Sequence, residues 1–315
     1  LQSSIVRVSL HQIEEFLNRA SIQYELRNPR HLEDLKPANF LNKIEHGFYH
    51  VSSGYNGSLN GINNSVIITE KWLDTENVEI LVEQAQLTHY KVLSLFEENI
   101  PHEIHPTAII DKNAIIGKNV NIGAYSVIGD CVIEDNVNIQ KHVILESKVI
   151  IKQGSFIDSN SCLGQKGLVW IWDKDGKRIN QPQLGGVIIE EDVHLSTDVT
   201  IVRGSLSEYT RVGRGSVLAH GTKIGHGANI GKEVHMANNV SLAGNTKIGD
   251  RCYLGSGSVI PSNITLPRNT IVGASAMVTK NYQEEYCTLV GVPAKILYKE
   301  NYNKKGRGTP TPFKD

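Results

Sequence analysis

From residue 212 to residue 278 a branched or long apolar residue falls at every sixth position: Val212, Leu218, Ile224, Ile230, Met236, Leu242, Ile248, Leu254, Ile260, Leu266, Val272 and Val278. The residue that follows is usually small, as in Gly213, Ala219, Gly225, Gly231, Ala237, Ala243, Gly249 and Gly255. Neither the 3.6-residue period of an amphipathic helix nor simple strand alternation yields a strict six. A coil with flat faces six residues long does yield it, each face sending one apolar side chain inward and bending at a small residue. With three faces, one turn takes about 18 residues. Such a coil is stiff and open-sided, so its chemistry must sit on surface side chains and loops.

The rhythm begins earlier, on Ile110, Ile116, Ile122 and Ile128, drops one residue before Ile133, and continues on Ile139, Leu145, Ile151, Ile157 and Leu163. An excursion over 164–185, with Trp170, Trp172, Asp173, Asp175, Gly176 and Pro182, has no hexad. Counting resumes on Ile189, Leu195 and Ile201 and slips again near Leu206 and Ser207. Excursions from a rigid repeat are where binding surfaces are built, and two tryptophans should cover a neighbour, a partner subunit or a ligand.

The first hundred residues read differently. Leu10 to Tyr24 places Leu10, Ile13 and Leu17 on one side of an expected helix, Val66-Ile67-Ile68 and Val78 to Val82 read as buried strands, and Leu87 to Phe96 as a second helix. Ser52 to Gly61 is rich in turn formers and reads as an exposed loop. The expected organisation is therefore a small α/β domain over 1–103, a mainly β coil over 104–280, and a short C-terminal helix and tail over 281–315, the helix falling within Tyr282 to Tyr302.

Lys and Arg number 32 against 33 Asp and Glu, so no positive field points to nucleic acid or anionic lipid. No long uncharged apolar span suggests an integral membrane protein, and Leu1-Gln2-Ser3-Ser4 lacks the basic-then-apolar order of a signal peptide. The four cysteines are scattered without metal-ligand spacing, so reduced thiols and a cytoplasmic location are expected. Neither a zinc constellation nor a glycine-rich loop between strand and helix is present, and no metal is expected to be required.

The coil resembles the left-handed parallel β-helix of hexapeptide-repeat acyltransferases, and the whole arrangement is similar to the lipid A N-acyltransferases that act on UDP-3-O-acyl-glucosamine. The residues that carry this are Phe40-Leu41-Asn42, His105-Pro106-Thr107-Ala108, Gly167, Pro182-Gln183-Leu184-Gly185, Thr200 to Leu206, Ile224-Gly225-His226 and Ile230-Gly231. The resemblance implies a homotrimer with active sites between neighbouring coils, a catalytic histidine at His226, an oxyanion-binding backbone NH at Gly244, and a nucleotide held by the N-terminal domain. His226 and Gly244 are 18 residues apart, so the repeat itself stacks them on adjacent turns. The chain departs from that family where Ala219-His220 replaces an Asp-Asn pair and where Asn263 replaces a second histidine associated with the acyl carrier substrate. Asn269 to Lys280, then Leu289-Val290-Gly291-Val292-Pro293-Ala294-Lys295, resembles the ending of acetyl-coenzyme-A-dependent enzymes.

The expected reaction is therefore acetyl transfer from acetyl-CoA to the amino group of a UDP- or dTDP-linked sugar for bacterial surface polysaccharide. An acyl-carrier-dependent N-acyltransferase of lipid A type is one alternative, and a noncatalytic β-helical scaffold another. Thioester aminolysis needs a base and donors for the developing oxyanion, and an imidazole titrating near about pH 6.5 suits the first role. His226 competes for it with His194, His220 and His235. His220 is read as substrate-facing or structural, and Glu208 as a group that could orient an imidazole. Phe40, with Tyr49 as companion, either stacks on a nucleotide base or fills a core; Arg203 either binds a phosphate or satisfies a loop or a neighbouring subunit. Gly257, Ser275, Lys280 and Lys295 are candidates for the coenzyme A groove, the lysines being equally compatible with solvated surface.

Overall fold

The computed structural model describes residues 6–52, 54–97 and 103–297. The chain divides into two compact units, Leu1–Ile100 and Pro101–Asp315. In the first, a helix over Leu10–Arg19 starts at a capping box: Ser9 Oγ accepts the Gln12 NH, and Gln12 Oε1 accepts the Ser9 NH. Leu10, Ile13 and Leu17 are buried, as the spacing predicts. The helix stops short of the expected Tyr24 because Ser21 turns into the left-handed region, φ 53°, and the chain re-enters as the strand Glu25–Arg27. A five-stranded sheet runs in the order Glu25–Arg27, Val78–Leu81, Val66–Thr69, Gly47–Val51, Lys36–Pro37, with only the first strand antiparallel. The second helix, Ala85–Leu93, continues into a 3-10 turn over Ser94–Phe96.

His89, on the second helix, is buried, neither ring nitrogen having a hydrogen-bond partner among the described residues, and its ring stacks on Phe48 at 4.8 Å and lies tilted against His50 at 4.6 Å. Burial above all, then the neighbouring His50, pushes its pKa down to about 4. The unfolded chain binds that proton from about pH 6.5 downward while the folded one refuses it until about pH 4, so stability is full above pH 6.5 and is lost across that window. We expect acid to remove roughly 2–3 kcal/mol from the unit holding His89 between pH 7.5 and pH 4, read by urea denaturation of the full chain. In His89→Phe that portion of the pH dependence should vanish; an unchanged slope would assign it to other groups.

The second unit is a left-handed parallel β-helix. Its first face stacks the strands from Ile109–Ile110 to Val259–Ile260, its second those from Ile115–Ile116 to Thr265–Leu266, and its third those from Asn121–Ile122 to Lys295–Ile296. Register is kept turn by turn: Ile224 pairs with Leu242, Ile230 with Ile248 and Met236 with Leu254. The hexad residues from Ile122 to Val278 fill one continuous interior, each buried branched side chain contributing roughly 1.5–3 kcal/mol. Corners are turned by a left-handed residue, commonly Asn, Asp or Gly: Asn239, Asn245 and Asn263 at φ 59°, 59° and 63°, and Gly227 at 65°.

The 164–185 excursion carries an antiparallel hairpin, Trp170–Trp172 with Arg178–Asn180, and Trp170 and Trp172 are 47% and 64% exposed. One expectation changes. The stretch from Tyr282 is not helical: Thr288–Val290 adds to the third face and Lys295–Ile296 folds back on it antiparallel. Leu289 lands in the interior as a further apolar layer, which a helix with Gly291 at φ 91° and Pro293 in its middle could not supply. Residues 298–302 lie outside the described residues. Among the described residues no helix is long and apolar enough to cross a membrane.

Candidate functional site

The edge between the first and second faces gathers the chemistry. There Gly225, His226 and Gly227 turn the chain from Lys223–Ile224 into Asn229–Ile230, and one turn later Ala243, Gly244 and Asn245 do the same. The Asn245 NH donates to the His226 carbonyl at 2.7 Å, locking the two corners in register. An imidazole at position 226 thus projects off the corner directly over position 244. The absence of a side chain there is what gives it room: a Cβ on Gly244 would lie 2.7 Å from His226 Cε1 and 2.8 Å from Cδ2, with Nε2 closer still. The hydrogen bonds described for this corner use the NH of Ala243 and of Asn245 and the carbonyl of Gly244, leaving the Gly244 NH without a partner among the described residues.

His226 Nδ1 lies 3.0 Å from Ser205 Oγ. Ser205 belongs to the irregular link where the hexad slips, and Glu208 folds that link: its carboxylate accepts the NH of Ser205 at 2.5 Å and of Leu206 at 3.0 Å. Burial alone would raise the Glu208 carboxyl. The backbone NH bonds from Glu208, Leu206 and Ser205, with His226 nearby, outweigh it and hold the group below the usual carboxylate range. Glu208 therefore reaches the imidazole through Ser205.

The excursion closes the other side. A Cβ on Gly167 would lie 3.9 Å from His226 Cδ2 and 3.3 Å from Gln183 Oε1. Gln183 is buried, and that oxygen has no hydrogen-bond partner among the described residues. Arg203 anchors the base of the excursion, its Nε donating to the Gly164 carbonyl at 2.6 Å and its terminal nitrogen to the Ser147 carbonyl at 3.0 Å. With its side chain buried and its donors so engaged, it takes the loop-satisfying role of the two the sequence allows, not that of a free phosphate ligand.

The other candidates lie elsewhere. His220 sits on the edge between the third and first faces, bonded through Nδ1 to Thr197 Oγ1 at 2.8 Å, and Gly257 and Ser275 follow on that same edge. Lys280 stands 5.5 Å from the Tyr282 ring centroid, and Lys295 is exposed on the last strand. In the N-terminal unit Phe40 is stacked between Tyr49, at 5.5 Å, and Tyr55, at 4.5 Å. Tyr49 is fully buried with its hydroxyl bonded to the NH and carbonyl of Ile44, which corrects its reading as a substrate contact: it backs Phe40 from the core. Tyr55 lies in no repeat or motif, and Ser205 and Gln183, though inside the segments Thr200 to Leu206 and Pro182 to Gly185 that carry the resemblance, are not singled out there as site residues. A further hint for Ser205 is the break in period at Leu206 and Ser207.

Comparison with known proteins agrees with the fold of the coil. Residues 227–262 match the bacterial transferase hexapeptide family (six repeats), and residues 245–280 the hexapeptide repeat of succinyl-transferase. The coil thus carries hexapeptide repeats over 227–280 and resembles acyltransferases of lipid A type. A UDP-3-O-acylglucosamine N-acyltransferase of Coxiella burnetii is 39% identical over 61 residues, 19% of this chain and 18% of that one, so the match spans less than a fifth of the curated relative. Among solved structures, UDP-N-acetylglucosamine O-acyltransferase from Moraxella catarrhalis is 26% identical over 62% of this chain and 73% of its own, with a TM-score of 0.56. The UDP-N-acetylglucosamine acyltransferase of Francisella novicida shares the fold, TM-score 0.58, at 23% identity over 67% and 75% of the two chains. Among the described residues no group of three or more His, Cys, Asp and Glu could hold a metal ion.

Proposed function

We propose that this chain transfers an acyl group from a thioester to the amino group of a nucleotide-linked sugar. The observation that carries the reading is the stacking of His226 Nε2 against Gly244, one coil turn away, whose NH has no hydrogen-bond partner among the described residues. In the reaction the amine nitrogen attacks the thioester carbonyl; the C–N bond forms, the C–S bond breaks, and the thiolate leaves. His226 Nε2 takes the ammonium proton of the tetrahedral intermediate and passes it to the departing sulfur, while the Gly244 NH donates to the oxyanion. No acyl-enzyme is needed, since a deprotonated amine is itself the nucleophile.

A UDP-linked glucosamine derivative is the acceptor class that the relatives' names support. Both relatives are named acyltransferases and not acetyltransferases, which favours a longer acyl group on a carrier protein as donor. Acetyl-CoA remains the second reading, favoured by Asn263 in place of a carrier-associated histidine and by the ending over 269–295. His220, Gly257 and Ser275 stand on a different edge from His226, so they serve the same transfer only if a second copy brings its edge to this one. A homotrimer with sites between neighbours is the arrangement in which they would do so.

The deciding assay offers UDP-glucosamine, UDP-3-O-acyl-glucosamine and a dTDP-amino sugar with acetyl-CoA and with long-chain acyl carrier protein, reading amide formation by mass. Carrier-dependent N-acylation of a UDP sugar is expected. Transfer from acetyl-CoA alone would establish the second donor reading, and absence of transfer from either donor would remove the enzyme reading.

A further inference from the structure

Deepening the acyl-transfer reading and resting on it, we propose that Ser205 and Glu208 are positioning residues that make His226 a base on its Nε2 side, Ser205 through its hydroxyl on Nδ1 and Glu208 through its charge and its hold on the Ser205 backbone. A neutral imidazole accepts a proton at one nitrogen only if the other carries the hydrogen. Here the other is Nδ1, 3.0 Å from Ser205 Oγ, and Ser205 is buried, so bulk water does not compete for that contact. A hydroxyl can give or take in such a bond, and the decision falls to the surrounding charge. From the link come Ser205 and Glu208, from the excursion Gly167 and Gln183, and from the next turn Gly244; Glu208 is the charged group among them.

Its carboxylate grips the NH groups of Ser205 and Leu206, fixing the hydroxyl in place and putting negative charge on the Nδ1 side of the ring. That orientation favours Nδ1–H pointing at Ser205 and leaves the Nε2 lone pair facing Gly244. It also favours the imidazolium formed once Nε2 has taken the proton. The residue after His226 is Gly227, at φ 65°, so its own corner supplies no carboxylate. The slip in the hexad over 204–208 is the feature that brings one within reach.

The test has two arms on the full chain. In the wild type, nitrogen-15 histidine spectra above pH 7.5, with the His226 signal identified by its loss in His226→Ala, should show the Nδ1–H tautomer; the Nε2–H tautomer would overturn the proposal. In kinetics with the donor and acceptor that the assay above selects, Ser205→Ala should lower kcat roughly 10- to 100-fold with KM within about twofold, and Ser205→Thr should recover most of it. Glu208→Gln should move the acid limb of kcat/KM to lower pH, by about half a unit or more. Wild-type kcat in Ser205→Ala, or an unmoved acid limb in Glu208→Gln, would reduce both residues to holding the link together. If the wild type acylates no acceptor, the acyl-transfer reading fails by itself, while the tautomer is still decided by the spectrum.

Discussion

Replacing His226 with alanine is expected to lower kcat roughly 100- to 10,000-fold, the range typical of a lost general base, while the coil keeps its melting behaviour. The two halves of this expectation have separate causes. The ring sits half-exposed on a corner, and the inward residues on either side, Ile224 and Ile230, are untouched by its removal, so no cavity opens in the interior. What the fold loses is the single bond to Ser205, about 1 kcal/mol at a part-exposed site. What the reaction loses is the proton acceptor facing Gly244. Binding of the nucleotide sugar should survive, because the imidazole meets the reacting amine and not the nucleotide. Turnover equal to the wild type would move the chain to the scaffold reading, and a collapse of the melting transition would make His226 a structural residue of the corner.

The coil and its central pair could be read from sequence for the same reason: both are consequences of a period. A strict six fixes which residues point inward, and an 18-residue separation fixes that His226 and Gly244 stack. Where the period lapses, the sequence stops speaking. Ser205 comes to lie against His226 because Glu208 folds an aperiodic link, and Gln183 nears it because the excursion returns beside the imidazole, neither of which leaves a spacing to find. The N-terminal strands Glu25–Arg27 and Lys36–Pro37 are too short to show alternation and gain their hydrogen bonds from longer neighbours. The Tyr282 stretch has the apolar content of a helix, yet the open end of the coil offers Leu289 a place in the stack that outweighs local preference. Tyr49 and Arg203 show a third limit: residue type tells what a side chain can bind, and only the fold tells what it has already bound.

Substituting Gly244 by alanine is expected to cost roughly 100-fold in kcat with stability within about 1 kcal/mol of the wild type, whereas the same change at Gly225 should cost roughly 2–3 kcal/mol of stability. Both are corner glycines on the same edge, one turn apart, and neither needs a left-handed backbone. They differ in what the new methyl meets. At position 225 it would fall 2.6 Å from the carbonyl carbon of Ala243 and 2.6 Å from the Gly244 nitrogen, main-chain atoms of the next turn that can yield only by prising the coil apart. At position 244 the three atoms nearest to it all belong to the imidazole of His226, the far end of a side chain that can swing off the corner. The fold then escapes the clash by giving up the geometry that the reaction uses: Nε2 leaves its place over the 244 NH, and Nδ1 leaves Ser205. Thermal melts and steady-state kinetics on the two variants separate these outcomes. A Gly244→Ala protein that melts as low as Gly225→Ala would make Gly244 part of the turn and nothing more. One that keeps full turnover would show that the reaction does not use the space between that backbone NH and the imidazole.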